Sequence, residues 1–403
     1  MMLKSFCLNL LFICGVMLNQ PLHAYTILPE TTHNTDTLLN HPVIIPSSPT
    51  INANAYILID VNSGKIIAEK NKSQKLPPAS LTKMMTLYVI SNALSNKQIA
   101  LTDQVRISQN AWQTNGSKMF IKAGQQVTIE ELMQGIIVDS GNDACVAIAE
   151  HLGGGEGGFA EIMNQHAKNL NMLESHFTDS TGLPDPNHYT TAYDLAILGK
   201  ALINDFPQYY HYYKQKWFTF NQIKQPNRNR LLWRDTQIDG IKTGHTNEAG
   251  FCLVSSAKQQ DMRLLAVLLG APSDSIRADD SERLLNYGFR FFETHRLYQA
   301  MQTITEVDVY KGQTRKLKLG LLQDQYITIP RGQYQALHIR TKVLNNLQAP
   351  IQHGSQVGEL IIELNNTILE THPLYALQTV ARGGLITRAQ DSIRLTLKNW
   401  FHA

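Results

Sequence analysis

Cysteine is scarce in this chain. Its 403 residues carry four, and Cys7 and Cys14 fall near the N-terminus, leaving Cys145 and Cys252 in the body of the sequence. A disulfide-stapled scaffold is therefore excluded, and the sequence leaves open whether the remaining pair bridges or stays as thiols. Charge of one sign is also lacking: 36 Lys plus Arg against 33 Asp plus Glu give a net +3. No basic run with interleaved aromatics occurs before the C-terminus, so no nucleic-acid partner is expected. The histidines never fall into His-Glu-x-x-His or a comparable pairing, so no metal is expected and a zinc peptidase is disfavoured. The glycine-rich run "GGGEGGFAE" from Gly153 lacks the Gly-Lys-Ser/Thr ending of a phosphate cradle and reads as a flexible helix connection. No cofactor is expected, and no internal repeat is visible.

What is present divides the chain into parts. In "MMLKSFCLNLLFICGVMLNQPLHAY", Lys4 precedes an apolar core from Phe6 to Leu18 and then Leu22-His23-Ala24. That is the pattern of a cleavable signal peptide over 1–24; the run is short for a permanent anchor. Residues 25–54 read as a polar extension rich in Thr, Asn, Pro and Ser. Order is expected from "AYILIDVNSGKIIAEKN", a hairpin turning at Asn62-Ser63-Gly64. Helices are expected around 129–150, 159–170 and 191–204. The runs "GFCLVSSAK" and "RLLAVLLGA" are apolar throughout, as interior strands of a sheet covered on both faces must be. A helix, "SERLLNYGFRFFETH", closes this region near 295. Short alternating runs from 296 to 380 predict a small all-β domain. In the tail, 381–403, Ile386, Ala389, Ile393, Leu397, Trp400 and Phe401 fall on one side of a helix bearing Arg388, Arg394 and Lys398 elsewhere. Such a helix suits a membrane interface or the surface of its own β domain, with the terminal Trp-Phe favouring the membrane.

The stretch "KLPPASLTKMMTLYVISNAL" places Ser80 and Lys83 one turn apart where an apolar helix starts after two prolines. In isolation, Ser80 could be a cap and Lys83 could snorkel to water. A second Ser-x-x-Lys, Ser255 to Lys258, lies in a predicted strand and shows how little one such motif proves. Company distinguishes the first: Ser140-Gly141-Asn142 follows in "VDSGNDAC", and Lys242-Thr243-Gly244 in "IKTGHT". A serine hydroxyl becomes a nucleophile only when a base takes its proton, and Lys83 is placed to do so if it is neutral. Burial lowers a lysine's pKa, and a nearby cation such as Lys242 lowers it further. The positive end of the helix dipole also favours the serine alkoxide.

These three motifs in this order are those of penicillin-recognising serine enzymes. The chain resembles a low-molecular-mass penicillin-binding protein of the serine-type D-alanyl-D-alanine carboxypeptidase family. "SGNDAC", "NRNRLLW", "DGIKTGHT", "GFRFFET" and "YITIPRG" match that family's segments in order; the longer polar extension before Tyr56 departs from it. The resemblance implies an α/β (α+β) transpeptidase/β-lactamase-like catalytic domain over 55–295, a central antiparallel sheet with helices on both faces, then the small β domain and the amphipathic helix. It implies that Ser80 attacks the penultimate D-alanine of a peptidoglycan stem peptide, releasing the terminal D-alanine, and that β-lactams acylate Ser80. Ser140 would relay a proton to the departing amine and Asn142 hold the peptide amide. Lys242, Thr243 and Gly244 would line the site, the first two binding the terminal carboxylate with Arg277. The backbone N–H groups of Ser80 and His245 would hold the oxyanion. Arg228 in "NRNRLLW" is a further substrate contact or a surface ion pair. Cys145 reads as a small buried filler close to the site. The implied location is periplasmic, on the outer face of the inner membrane.

Three rivals share some of these features. A class A β-lactamase needs a deacylating carboxylate, and no Glu-x-x-Leu-Asn segment lies between Ser140 and Lys242. A D-alanyl endopeptidase shares every motif, and a β-lactam sensor would usually add a transmembrane helix.

Overall fold

The computed structural model describes residues 44–401. The signal peptide expected over 1–24 and the extension up to residue 43 lie outside the described residues. The end of the extension is anchored: Ile51 and Ala53 are buried, and the Asn52 N–H donates to the Asp280 carboxylate at 2.6 Å. The polar letters of this segment serve hydrogen bonds to a distant helix, which composition does not reveal.

The expected hairpin is β1 (Ala55–Asp60) and β2 (Ile66–Lys70), paired antiparallel. The Asp60 carboxylate accepts the Ser63 N–H at 2.7 Å, and Gly64 takes a φ of +76°, closing the turn. Three later strands, β3 (Ile238–Thr246), β4 (Gly250–Gln259) and β5 (Met262–Ala271), complete an antiparallel sheet of order β2-β1-β5-β4-β3. Interior β4 and β5 are the two apolar runs of the sequence. Alternation along β1 sends Ile57 and Ile59 to one core and Tyr56 and Leu58 to another. The first core holds α1 (Lys83–Ser95), α2 (Asn142–Gly153), α3 (Glu156–Asn169) and α4 (Ala192–Asp205). The second is covered by α5 (Asp274–Phe291). Helices thus lie on both faces, and α1 is buried almost all round.

Two expected helix boundaries change. The segment 129–150 is not one helix: Ile129–Gln134, closed at its start by a Thr128–Glu131 capping box, runs into a widened turn at Gly135–Asp139. Ser140 then adopts a left-handed conformation, φ 58° and ψ 34°, before α2 begins. An apolar period continues through this break, so the pattern alone hides it. The second change is that α5 stops at Phe291, and "FETH" belongs to a strand, Phe292–Tyr298, paired with Gln325–Pro330.

Beyond it, a five-stranded antiparallel sheet orders Thr305–Asp308, Lys316–Gly320, Thr367–Ala376, Gln356–Leu364 and Leu337–Val343. Leu317, Leu319, Leu360 and Leu374 form its own core. The β domain meets the hairpin turn through hydroxyls: Ser63 Oγ lies 2.6 Å from Thr328 Oγ1, and Thr294 donates to Asp60 at 3.0 Å. The final helix, α6 (Leu385–Phe401), docks by Leu395 and Asp391, whose carboxylate accepts the Lys311 N–H at 2.6 Å. Ile386, Ala389, Ile393, Leu397 and Trp400 are exposed on it.

Candidate active site

Ser80 sits in a tight turn, Ala79–Thr82, that leads into α1. Two glycines allow other backbone to press against this turn. A Cβ on Gly244 would lie 2.9 Å from the Pro78 carbonyl and 3.1 Å from the Ser80 nitrogen, and one on Gly182 would overlap the Ala79 carbonyl. Strand β3 and the loop carrying Gly182 therefore wall the nucleophile on two sides. The Lys83 side chain is 0% exposed, its Nζ 3.0 Å from Ser80 Oγ and donating to the Thr181 carbonyl at 2.7 Å. It does not snorkel to water.

Burial lowers the Lys83 pKa, with Arg228 acting in the same direction and Cys145, Asp179 and Asp143 opposing. The expected Lys83–Lys242 coupling shows at Lys242, which burial, Lys83 and Arg228 together hold well below the ordinary lysine value. Two ammonium groups so confined disfavour each other, which favours the neutral form of both amines.

Lys242 Nζ donates to Ser140 Oγ at 2.9 Å and to the Thr243 carbonyl at 3.1 Å. The left-handed backbone of Ser140 turns its hydroxyl toward this lysine; such strain in a residue other than glycine is common where geometry is functional. Asn142 Nδ2 donates to the Asn115 carbonyl at 2.7 Å. On β3, His245 pairs with Phe251 of β4 and stacks on it at 4.0 Å. Arg277, 7% exposed, donates to the carbonyls of Gly244 at 3.0 Å and Cys252 at 3.2 Å and pairs with Asp274. Arg228 is exposed and makes no hydrogen bond or ion pair among the described residues, contrary to the surface ion-pair reading. Its charge is nevertheless felt at Lys83, Lys242 and Asp139.

Several residues escaped the sequence reading. The Asp143 carboxylate accepts the N–H groups of Met119, Phe120 and Ile121 at 3.0 to 3.3 Å, fixing the loop beside Asn142. Glu156 accepts both the N–H and hydroxyl of Ser180 at 2.7 Å, and Asp179 accepts the N–H groups of Thr181 and Gly182. These hold the carbonyl that receives Lys83; the turn-rich string "DSTG" was the available signal. Asp139, just before Ser140, is buried with Oδ1 lacking a partner. Cys145 and Cys252 are both free and buried, which answers the question of a bridge. Burial pushes the Cys145 thiol up to about 12, so it is an inert filler beside Lys83. The second Ser-x-x-Lys is dismantled by its strand: Ser255 Oγ contacts Ser281 Oγ at 2.5 Å, while Lys258 points to solvent.

A serine bonded to a buried lysine, a second serine bonded to a second lysine, and a sheet edge against the nucleophile together define a penicillin-recognising serine hydrolase. Comparison with known proteins narrows the class. A family profile described as D-alanyl-D-alanine carboxypeptidase matches residues 43–273, and one described as penicillin-binding protein 5, C-terminal domain, matches 292–382. The D-alanyl-D-alanine carboxypeptidase DacC of Escherichia coli (strain K12) is 44% identical over 88% of this chain and 90% of its own. The DacA enzyme of Haemophilus influenzae is 42% identical over 88% and 91%. A crystal structure of penicillin binding protein 5 from Haemophilus influenzae superposes with a TM-score of 0.81 at 42% identity, covering 84% of this chain and all of that one. The chain belongs to the D-alanyl-D-alanine carboxypeptidase family and is a serine-type enzyme of that kind.

Proposed function

We propose that Ser80 Oγ attacks the carbonyl of the penultimate D-alanine of a peptidoglycan stem peptide while Lys83 Nζ takes its proton. The observation that carries this is the fully buried amine of Lys83, held between Ser80 Oγ and the Thr181 carbonyl. The developing oxyanion would rest on the N–H groups of Ser80 and His245, since β3 runs against the nucleophile turn at Gly244. Ser140, charged with a proton through Lys242, would protonate the departing amine. Asn142 would hold the peptide amide, and Lys242, Thr243 and Arg277 the terminal carboxylate, with Arg228 as a second cation at the mouth. Water then hydrolyses the acyl-enzyme. β-Lactams would acylate Ser80 by the same steps; a Listeria monocytogenes penicillin-binding protein D2 solved in its ampicillin-bound form superposes at a TM-score of 0.56 and 27% identity. Lys83→Met should remove acylation by a labelled penicillin while leaving the fold intact by circular dichroism. A normal acylation rate would exclude Lys83 as the base.

The same proposal places the enzyme in the periplasm, its α6 lying on the outer face of the inner membrane. Supporting this, Leu385, Ile386, Ile393 and Trp400 are each more than 60% exposed on α6. No helix among the described residues is long and apolar enough to cross a membrane. The β domain, residues 296–380, would act as a pedestal between that surface and the catalytic domain, residues 55–295.

A further inference from the structure

His188 belongs to none of the motifs that mark the site, yet it is buried behind the nucleophile turn. Its Nε2 lies 2.9 Å from the Oγ1 of Thr82, the residue that immediately precedes Lys83. Its Nδ1 lies 3.0 Å from Thr178 Oγ1 and 3.4 Å from Asp179 Oδ2. One imidazole therefore bridges the turn that carries Ser80 and the loop 178–182 that carries the Lys83 acceptor. Burying two polar ring nitrogens is unfavourable unless both are satisfied, and an apolar filler would avoid that cost.

The loop meets the nucleophile turn and α1 at three hydrogen bonds. Lys83 Nζ donates to the Thr181 carbonyl at 2.7 Å, Thr86 Oγ1 donates to the Ser180 carbonyl at 2.7 Å, and His188 joins Thr82. At Gly182 the approach is so close that an added Cβ would lie 2.6 Å from Thr82 Oγ1. The ring itself is framed from the other side. Asn164 of α3 donates to the Phe177 carbonyl at 2.8 Å and accepts the Phe177 N–H at 2.9 Å, and the Phe177 ring stands edge-on to the imidazole at 5.7 Å. His176 and Tyr189 exchange backbone hydrogen bonds at 2.9 and 3.1 Å, which sets His188 beside the loop.

Resting on the reading of Lys83 as the base, we infer that His188 is a positioning residue for acyl transfer. By tying Thr82 to Thr178 and Asp179, it fixes the gap between Ser80 Oγ and the carbonyl that orients the Lys83 amine. Proton transfer depends steeply on that gap. Substrate binding does not, because Asn142, Lys242 and Arg277 take their hydrogen bonds from other segments. His188 therefore acts on the rate of acylation and leaves the preceding encounter complex alone.

The test is stopped-flow acylation of the full chain over a range of fluorescent penicillin concentrations, which separates the noncovalent constant from the acylation rate constant, with thermal unfolding alongside. Three variants divide the two ends of the ring. His188→Ala removes both contacts, His188→Asn keeps an amide near the Nδ1 position, and His188→Gln carries an amide out to the Nε2 position. The Ala and Asn variants should acylate about 10- to 100-fold more slowly, the scale for misplacing a reacting group by about 1 Å, with the noncovalent constant unchanged. The Gln variant should acylate close to the native rate even where its thermal midpoint falls as far as that of the Asn variant. Lys83→Met run in parallel tests the reading beneath: acylation at the native rate there removes the base, and this inference with it. An inactive Lys83→Met beside a His188→Asn chain of native rate overturns the inference alone. So does a rate loss that follows thermal stability across the three variants, or a weakened noncovalent constant with the acylation rate intact, since either marks a merely structural role.

Discussion

Gly244→Ala isolates the contact between β3 and the nucleophile turn. An added Cβ would lie 2.9 Å from the Pro78 carbonyl, 3.1 Å from the Ser80 nitrogen and 3.2 Å from the Leu81 nitrogen. All three are backbone atoms, so no side-chain rotation relieves the contact and the strand and turn must separate by a few tenths of an ångström. Overpacking of this kind costs about 1–3 kcal/mol of stability, tolerable for a domain of this size. The catalytic effect should be larger. The proposed oxyanion donors sit one on each side of the contact, Ser80 N–H on the turn and His245 N–H on the strand, so separation spoils their convergence. Loss of one such donor costs about 100- to 1,000-fold in kcat. Stopped-flow acylation by a fluorescent penicillin, with thermal unfolding alongside, reads both quantities. A folded variant that acylates at the native rate would refute this placement of the oxyanion.

Two further perturbations probe other parts. Burial raises the Asp139 carboxyl to about 7, against the pull of Arg228 and with Asp143 pushing the same way. Because its folded pKa exceeds its unfolded value, this group favours the fold below the ordinary 3.8 and loses that contribution as pH rises through about 7. Asp139→Asn should flatten the pH dependence of the unfolding free energy, read from urea denaturation, by up to about 1.4 kcal/mol per pH unit across that window, the slope of one linked proton; an unchanged slope would contradict it. Truncation after residue 382 should release the protein from membranes into the soluble fraction, and a truncated chain that still sediments with them would defeat the role given to α6.

Much of the site was legible because its motifs are local. Ser80 and Lys83 sit three residues apart where the Ala79–Thr82 turn enters α1, and the interior strands β4 and β5 announce themselves by unbroken apolar runs. The parts that stayed hidden depend on distant partners. Asp143 is read correctly only once the loop at Met119–Ile121 lies against it, and Ser180 only once Glu156 caps it. The widened turn at Gly135–Asp139 preserves an apolar pattern while rotating Ser140 toward Lys242, a change of backbone that periodicity cannot register. His188 reaches Thr82 across 106 residues, so nothing near it in the sequence marked it out.

The central claim is a covalent route through Ser80, and D-alanine release from a pentapeptide ending in D-Ala-D-Ala tests it most directly. The native chain should release D-alanine, and Ser80→Ala, folded to the same thermal midpoint, should release none and take up no labelled penicillin. D-alanine release by Ser80→Ala at the native rate would contradict the account.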